Sequence, residues 1–161
     1  MSSAYRLAVT GRAKASPSEI FRIVTDPAMH VEIDGSGMLE AAPDSKRLEA
    51  AGDTFEMAMD RESLGDIPMG KYKVLNTVTR IVPDALLEWN VGSAEHGPFG
   101  HVYGWEITAI NGDETEFTNY CDWTEISEEI RDRFPIVPRG MMEQSVANLT
   151  ALATQRSGGS A

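Results

Sequence analysis

The sequence predicts an α+β fold: a curved antiparallel sheet of about six to seven strands wrapped around a long C-terminal helix, with two short helices after strand one. Three observations predict it. Apolar and polar residues alternate in short runs between Met38 and Asp122, proline-led helical segments occupy Ser16 to Ile33, and an amphipathic stretch runs from Arg139 to Gln155. One sheet curled around the closing helix is the economical way to bury both apolar faces.

The first strand is Tyr5 to Arg12, where Tyr5, Leu7 and Val9 alternate with Arg6, Ala8 and Thr10. In Ser16-Pro17-Ser18-Glu19, a capping serine, a proline at the first helical position and a glutamate in the first turn start a helix. Ile20, Phe21, Ile23 and Val24 supply its apolar stripe. Thr25-Asp26-Pro27 ends it, because the residue before a proline is pushed out of the α region, and Pro27 opens a second short helix through Met29 to Ile33. Asp34-Gly35-Ser36-Gly37 closes that helix.

Leu39 to Ala41 and Ser45 to Glu49 read as a weak edge, followed by a good strand in which Phe55, Met57 and Met59 alternate with Glu56, Ala58 and Asp60. Gly65 to Gly70 is a loop. Lys71 to Val82 is a longer strand with Tyr72, Val74 and Val78 opposing Lys71, Lys73, Thr77 and Thr79. Pro83-Asp84 turns the chain into a strand carrying Leu87, Trp89 and Val91, and Gly92 to Pro98 is a loop. Gly100 to Ile110 then places His101, Tyr103, Trp105 and Ile107 on one face.

Asn111-Gly112 is the strongest short hairpin signal and joins this strand to a final one, Glu116 to Trp123. A one-residue slip there exchanges Phe117, Asn119, Cys121 and Trp123 for Thr118, Tyr120 and Asp122, and the more apolar Phe117/Trp123 set is expected to face inward. Ser127 to Phe134 is broken off by Pro135 and Pro138. Beyond them Met142, Val146, Leu149 and Ala153, with Met141, Ser145 and Leu152 beside them, form the stripe of the long terminal helix.

At 161 residues the chain is expected to fold as one domain over 1–156, with 157–161 a disordered tail. The formal net charge of −11 comes from scattered acids and would repel phosphate-rich partners, so no nucleic-acid binding is expected. Cys121 is the single cysteine, which rules out an internal disulfide and fits a cytoplasmic setting. No apolar run suggests a signal peptide or membrane insertion. The sequence has no HExxH and no second cysteine, so no metal and no cofactor are expected, and Gly35, Gly37, Gly65 and Gly70 form no phosphate cradle.

Over Tyr5 to Thr154 the chain resembles the START-like superfamily, the polyketide cyclase/dehydrase (SRPBCC, helix-grip) group. The resemblance rests on Ala15-Ser16-Pro17-Ser18-Glu19-Ile20-Phe21 followed by Thr25-Asp26-Pro27, on Ile81-Val82-Pro83-Asp84-Ala85-Leu86-Leu87-Glu88-Trp89, on the Asn111-Gly112 hairpin and on the closing helix. It implies a deep pocket between sheet and terminal helix, suited to lipids, sterols, polyketides or hormone-like aromatics. Members include ligand carriers, cyclases and chaperone regulators, so the fold leaves the function open.

The face of His101, Tyr103 and Trp105 is too polar for a plain core, because each ring brings a polar atom that needs a partner, and it suits a cavity wall. The residues expected to contact a ligand are Met57, Met59, Trp89, His101, Tyr103, Trp105, Asn119, Cys121, Trp123, Met141, Met142 and Ser145. The first reading is binding of a small hydrophobic or aromatic molecule. A second is a cyclase or dehydratase using His101 and Tyr103 as acid and base, with Asn119 or Asp122 as orienting partner. A third is a protein-interaction domain without a ligand. His30 and Asp34, four apart, read as a solvated or capping pair, and His96 as a surface residue. Cys121 has no adjacent His or Lys to activate it as a nucleophile.

Overall fold

The computed structural model describes residues 4–43, 46–65 and 70–158. Seven strands form one antiparallel sheet: β1 (Arg6–Ala13), β2 (Leu39–Ala41), β3 (Thr54–Asp60), β4 (Lys71–Val82), β5 (Leu86–Ser93), β6 (Gly97–Ala109) and β7 (Thr115–Asp122). Their order across the sheet is β1-β7-β6-β5-β4-β3-β2. Among the described residues the α-helices are α1 (Pro17–Val24), α2 (Pro27–Ile33) and α3 (Arg139–Gly158), so the expected α+β architecture is the observed one.

Local chemistry explains the helix starts. Ser16 Oγ accepts the Glu19 amide at 3.1 Å, and Asp26 Oδ1 accepts the Ala28 amide at 3.1 Å. Each cap satisfies a backbone donor that would otherwise lack a partner, and each is followed by a proline that has no amide hydrogen to place. Ile20, Ile23 and Val24 are buried by α1 against the sheet.

Register fixes the inward rows. Leu7, Cys121, Tyr103, Trp89 and Val78 lie side by side across five strands, and Val9, Asn119, Trp105 and Leu87 form the next row. The Phe117/Trp123 set therefore faces inward with His101, Tyr103 and Trp105. Helix α3 packs chiefly on β1, with Met142, Val146, Leu149 and Ala153 buried. Gly11 makes this approach possible, since a Cβ there would lie 2.3 Å from Val146 Cγ1. With the helix seated at the β1 edge, the hollow over β3 to β6 is left for other segments to roof.

Several boundaries differ from the sequence reading. No strand forms over residues 46–49, whose polar backbone is spent on a turn: Asp53 Oδ2 accepts the amides of Glu49 and Ala50. Ser45 lies outside the described residues, as does the centre of the Gly65–Gly70 loop. β6 starts at Gly97, shortening the expected loop after β5. The β6–β7 connection is a loop over residues 110–114, closed by Asn111 Oδ1 accepting the amides of Asp113 and Glu114, because an asparagine side chain can imitate a backbone turn. α3 continues through residues 157 and 158, two beyond the expected tail boundary, and 159–161 lie outside the described residues.

Candidate functional site

The hollow is a cavity of about 920 Å³. That is the scale of a site for a drug-sized ligand, commonly about 300–1,000 Å³. Its floor is the inward face of β3 to β7, including Met57, Met59, Val74, Trp89, Val91, Tyr103 and Trp105. One rim comes from α2 and the loop after it, with Ile33, Asp34, Ser36 and Met38, and another from Met142 and Ser145 on the first turns of α3. The segment between β7 and α3 closes the mouth with Ile130, Arg133, Phe134, Ile136 and Val137.

Alternation along the strands puts the rings in place. Trp89 stands 6.2 Å from Tyr103, and His101 stands 5.6 Å from Tyr103 edge to face and 4.8 Å from Phe134, measured between ring centres. His30 enters the same wall from α2, 4.9 Å from Trp89 and 5.3 Å from Phe55. Offset and edge-on ring contacts of this kind add about 0.5–1.5 kcal/mol each beyond the apolar area they bury.

The polar atoms in this wall are dispersed. His30 Nε2 bonds the Val24 carbonyl at 2.7 Å, and Asn119 Nδ2 donates to the Gly104 carbonyl at 3.0 Å. His101 Nδ1 and Asn76 Oδ1 are buried with no hydrogen-bond partner among the described residues. Burial drives the His101 pKa down to about 4, and burial also lowers that of His30, so both imidazoles are neutral at pH 7. Burial, followed by the neighbouring Cys121 thiol, holds the Tyr103 hydroxyl well above its ordinary range. The Cys121 thiol is itself pushed up to about 12 by burial.

These values bear on acid–base chemistry. General acids and bases work best near the ambient pH, and neither His101 nor Tyr103 sits there. The hydrogen-bonding neighbour of Tyr103 is Cys121, and no hydrogen bond joins it to His101 among the described residues. Asp122 points to the opposite face, where it accepts the Thr124 amide at 2.9 Å and faces Arg6 at 3.9 Å, so it cannot orient either group.

Of the residues expected from sequence, Met57, Met59, Trp89, His101, Tyr103, Trp105, Asn119, Met142 and Ser145 line the cavity. Cys121, Trp123 and Met141 do not. Cys121 is sealed between Leu7 and Tyr103, Trp123 is covered by Phe134 at 6.3 Å, and the Met141 side chain is half-buried outside the cavity, one position before the fully buried Met142. Asp34 caps the loop after α2, taking the amides of Ser36 and Leu39, whereas His30 is buried in the wall and not solvated. His96 is exposed beside Glu95. Sequence reading missed Arg61 and Asn76. Both were within reach of it, since Arg61 continues the Phe55, Met57, Met59 alternation and Asn76 sits between Val74 and Val78.

No family model matches the chain. Two uncharacterised proteins from strains of Mycobacterium tuberculosis are each 30% identical over 109 residues, covering 68% of this chain and 43% of theirs. The chain therefore spans less than half the length of the curated relatives it matches. Among solved structures, a protein of Nitrosomonas europaea aligns over 98% of this chain and 99% of its own with a TM-score of 0.68 at 12% identity. The Zhui aromatase/cyclase of a Streptomyces species aligns over 94% of both chains with a TM-score of 0.65 at 10% identity. Truncated norcoclaurine synthase of Thalictrum flavum aligns over 91% of both with a TM-score of 0.60 at 13% identity. At these identities the likeness is one of architecture, and it agrees with the curled sheet and terminal helix described above. The chain shares with these structures the helix-grip fold, a curled antiparallel sheet with a long terminal helix.

Proposed function

We infer that the protein binds a small hydrophobic or aromatic molecule in the cavity between its sheet and the segments that roof it. The observation that carries this reading is the cavity itself, about 920 Å³ inside a chain of 161 residues. Protein interiors are close-packed, and an unfilled space of this size forgoes both dispersion contacts and apolar burial. A ligand that fills it recovers those terms. Dispersed polar groups on an aromatic wall suit orientation of a bound molecule better than proton transfer.

Titration with phenylnaphthylamine, a neutral apolar fluorophore, tests the reading. One-site binding that quenches tryptophan emission is expected, from Trp89 and Trp105 in the wall. Val91→Trp, which projects an indole from the middle of the floor, is expected to weaken binding about tenfold, roughly the loss of 1.4 kcal/mol of contact. Absence of saturable binding, or equal binding by Val91→Trp, overturns it.

A further inference from the structure

Two neutral side chains in the cavity floor lack the hydrogen bonds that buried polar groups ordinarily make. Asn76 and His101 are 4% and 6% exposed and both line the cavity. Among the described residues Asn76 Oδ1 and His101 Nδ1 have no partner, and neither side chain makes another hydrogen bond. The charged groups of the same wall are otherwise placed: Asp34 takes the Ser36 and Leu39 amides, Lys73 reaches Glu56 at 3.2 Å, and Arg61 has an interaction of its own. Arg133 is an exposed residue of the segment over the mouth. The unmet need in the floor is for a neutral partner.

Register sets the two groups a fixed distance apart. Asn76 pairs with Val91 on β5, and the irregularity between Asn90 and Gly92 places His101 of β6 opposite Val91, one residue beyond the Asn90–Val102 pair. Neighbouring strands lie about 4.8 Å apart, so the two backbones stand about 10 Å apart with Val91 between them. The next row, Val78, Trp89 and Tyr103, supplies aromatic surface alongside.

The chemistry of both groups suits a hydroxyl. An unbonded amide turns about its broad terminal torsion to present oxygen or nitrogen, a neutral imidazole offers one donor and one acceptor, and a hydroxyl both donates and accepts. An ionic group would exchange its water for neutral partners at a loss. Asn76 sits among Phe55, Val74 and Val78, where an apolar side chain would serve the fold better, so its amide is explained by what it binds.

We propose that the ligand is an uncharged ring compound lying across β5, with a hydroxyl-type group at each end, one bonded to the Asn76 amide and the other to the His101 imidazole. The proposal rests on the cavity being a ligand site and adds where the polar groups of its occupant lie.

Displacement of bound phenylnaphthylamine by 2,6-dihydroxynaphthalene and by 2,6-dimethylnaphthalene tests it, since the two share one ring body and differ in their ends. The wild-type protein is expected to bind the diol at least as tightly as the dimethyl analogue, although water holds hydroxyls better than methyls. Asn76→Leu and His101→Phe are each expected to shift the ratio of the two affinities about tenfold toward the dimethyl analogue, the scale of one hydrogen bond. Asn76→Leu is also expected to keep or raise the urea midpoint, so that a lost preference does not reflect a lost fold. A diol bound more weakly than its analogue by the wild-type protein overturns the proposal and leaves the cavity reading standing, and that readout needs no variant. Displacement by neither compound, with phenylnaphthylamine bound, has the same consequence. A wild-type protein that does not bind phenylnaphthylamine fails the cavity reading itself. A ratio unmoved by Asn76→Leu or by His101→Phe overturns the part assigned to that residue.

Discussion

Two clusters of buried polar side chains, one on each face of the sheet, are bonded in opposite ways, although Asn90 Oδ1 on the convex face also lacks a partner among the described residues. On the convex face, the Tyr120 hydroxyl donates to Glu88 Oε2 at 2.5 Å, Arg80 pairs with the same carboxylate at 3.0 Å, and Thr79 donates to its other oxygen at 2.8 Å. The Arg6 guanidinium lies 4.0 Å above the Tyr120 ring. On the concave face, His101 Nδ1 and Asn76 Oδ1 have no partner among the described residues. A closed polar network holds a structure together, whereas buried polar atoms left open cost free energy until something joins them. The Glu88 cluster completes its bonding on folding, and the His101 and Asn76 atoms do not, which is what the proposed ligand site requires.

The largest expected effect breaks the convex side. A Cβ on Gly104 would lie 2.3 Å from the Tyr120 ring, and the ring, pinned by Glu88 and Arg6, has nowhere to go. Gly104→Val is expected to destabilise the fold by about 3 kcal/mol or more, the upper range of overpacking, as read from urea unfolding. An unchanged midpoint would show that the face is loosely packed.

Acid should distinguish the faces next. The His101 pKa falls from 6.5 to about 4 on folding, so the unfolded chain binds the proton first as pH drops. Its contribution is intact above 6.5 and is lost as pH falls toward 4, about 3 kcal/mol in all by linkage. Glu88 acts in the same direction at lower pH: its carboxyl is held below the usual range by Arg80, Tyr120 and Thr79, which together outweigh desolvation, the largest single effect. Its share is present above the ordinary carboxylate range and is lost as pH falls through the depressed value. His101→Phe should flatten the wild-type decline between pH 6.5 and 4, and parallel stability curves for the two proteins would contradict this.

Smaller substitutions sharpen the contrast. Tyr120→Phe leaves a Glu88 oxygen short of a donor and is expected to cost about 1–2 kcal/mol. Asn76→Leu removes an amide whose oxygen is unpaired and is expected to be neutral or stabilising by up to about 1 kcal/mol, since replacing an unsatisfied polar group with an apolar one relieves its desolvation. Chemical denaturation of the two variants side by side decides the matter. Equal losses would mean that the faces do not differ.

Much of this division is legible in the sequence where period two runs unbroken. Phe55 to Met59, Tyr72 to Val78 and Gly100 to Ile107 give the inward rows directly, and the apolar choice of Phe117 and Trp123 sets the last strand in phase with them; the bulge after Val78 shifts the phase so that Ile81 pairs with Leu87. The same periodicity extends to Arg61 and Asn76, which go unread when only apolar residues are followed along it. The convex network is invisible locally: Arg6 and Tyr120 meet only because β1 pairs with β7, and Tyr120 is buried because Gly104, on the next strand, gives its ring room. The segment over residues 130–137 carries no period, so its place over the cavity follows from packing alone. His30 looks like a solvated partner of Asp34 by spacing, but the turn of α2 sends it against Phe55 and Trp89.

The central claim is that the concave cavity holds a small molecule. Native mass spectrometry of the protein purified from the cells that make it tests this most directly. The account predicts a one-to-one adduct of a small, aromatic-bodied molecule on the wild-type protein, diminished in Val91→Trp. Bare protein in both spectra, or the same adduct at the same occupancy in both, would contradict it.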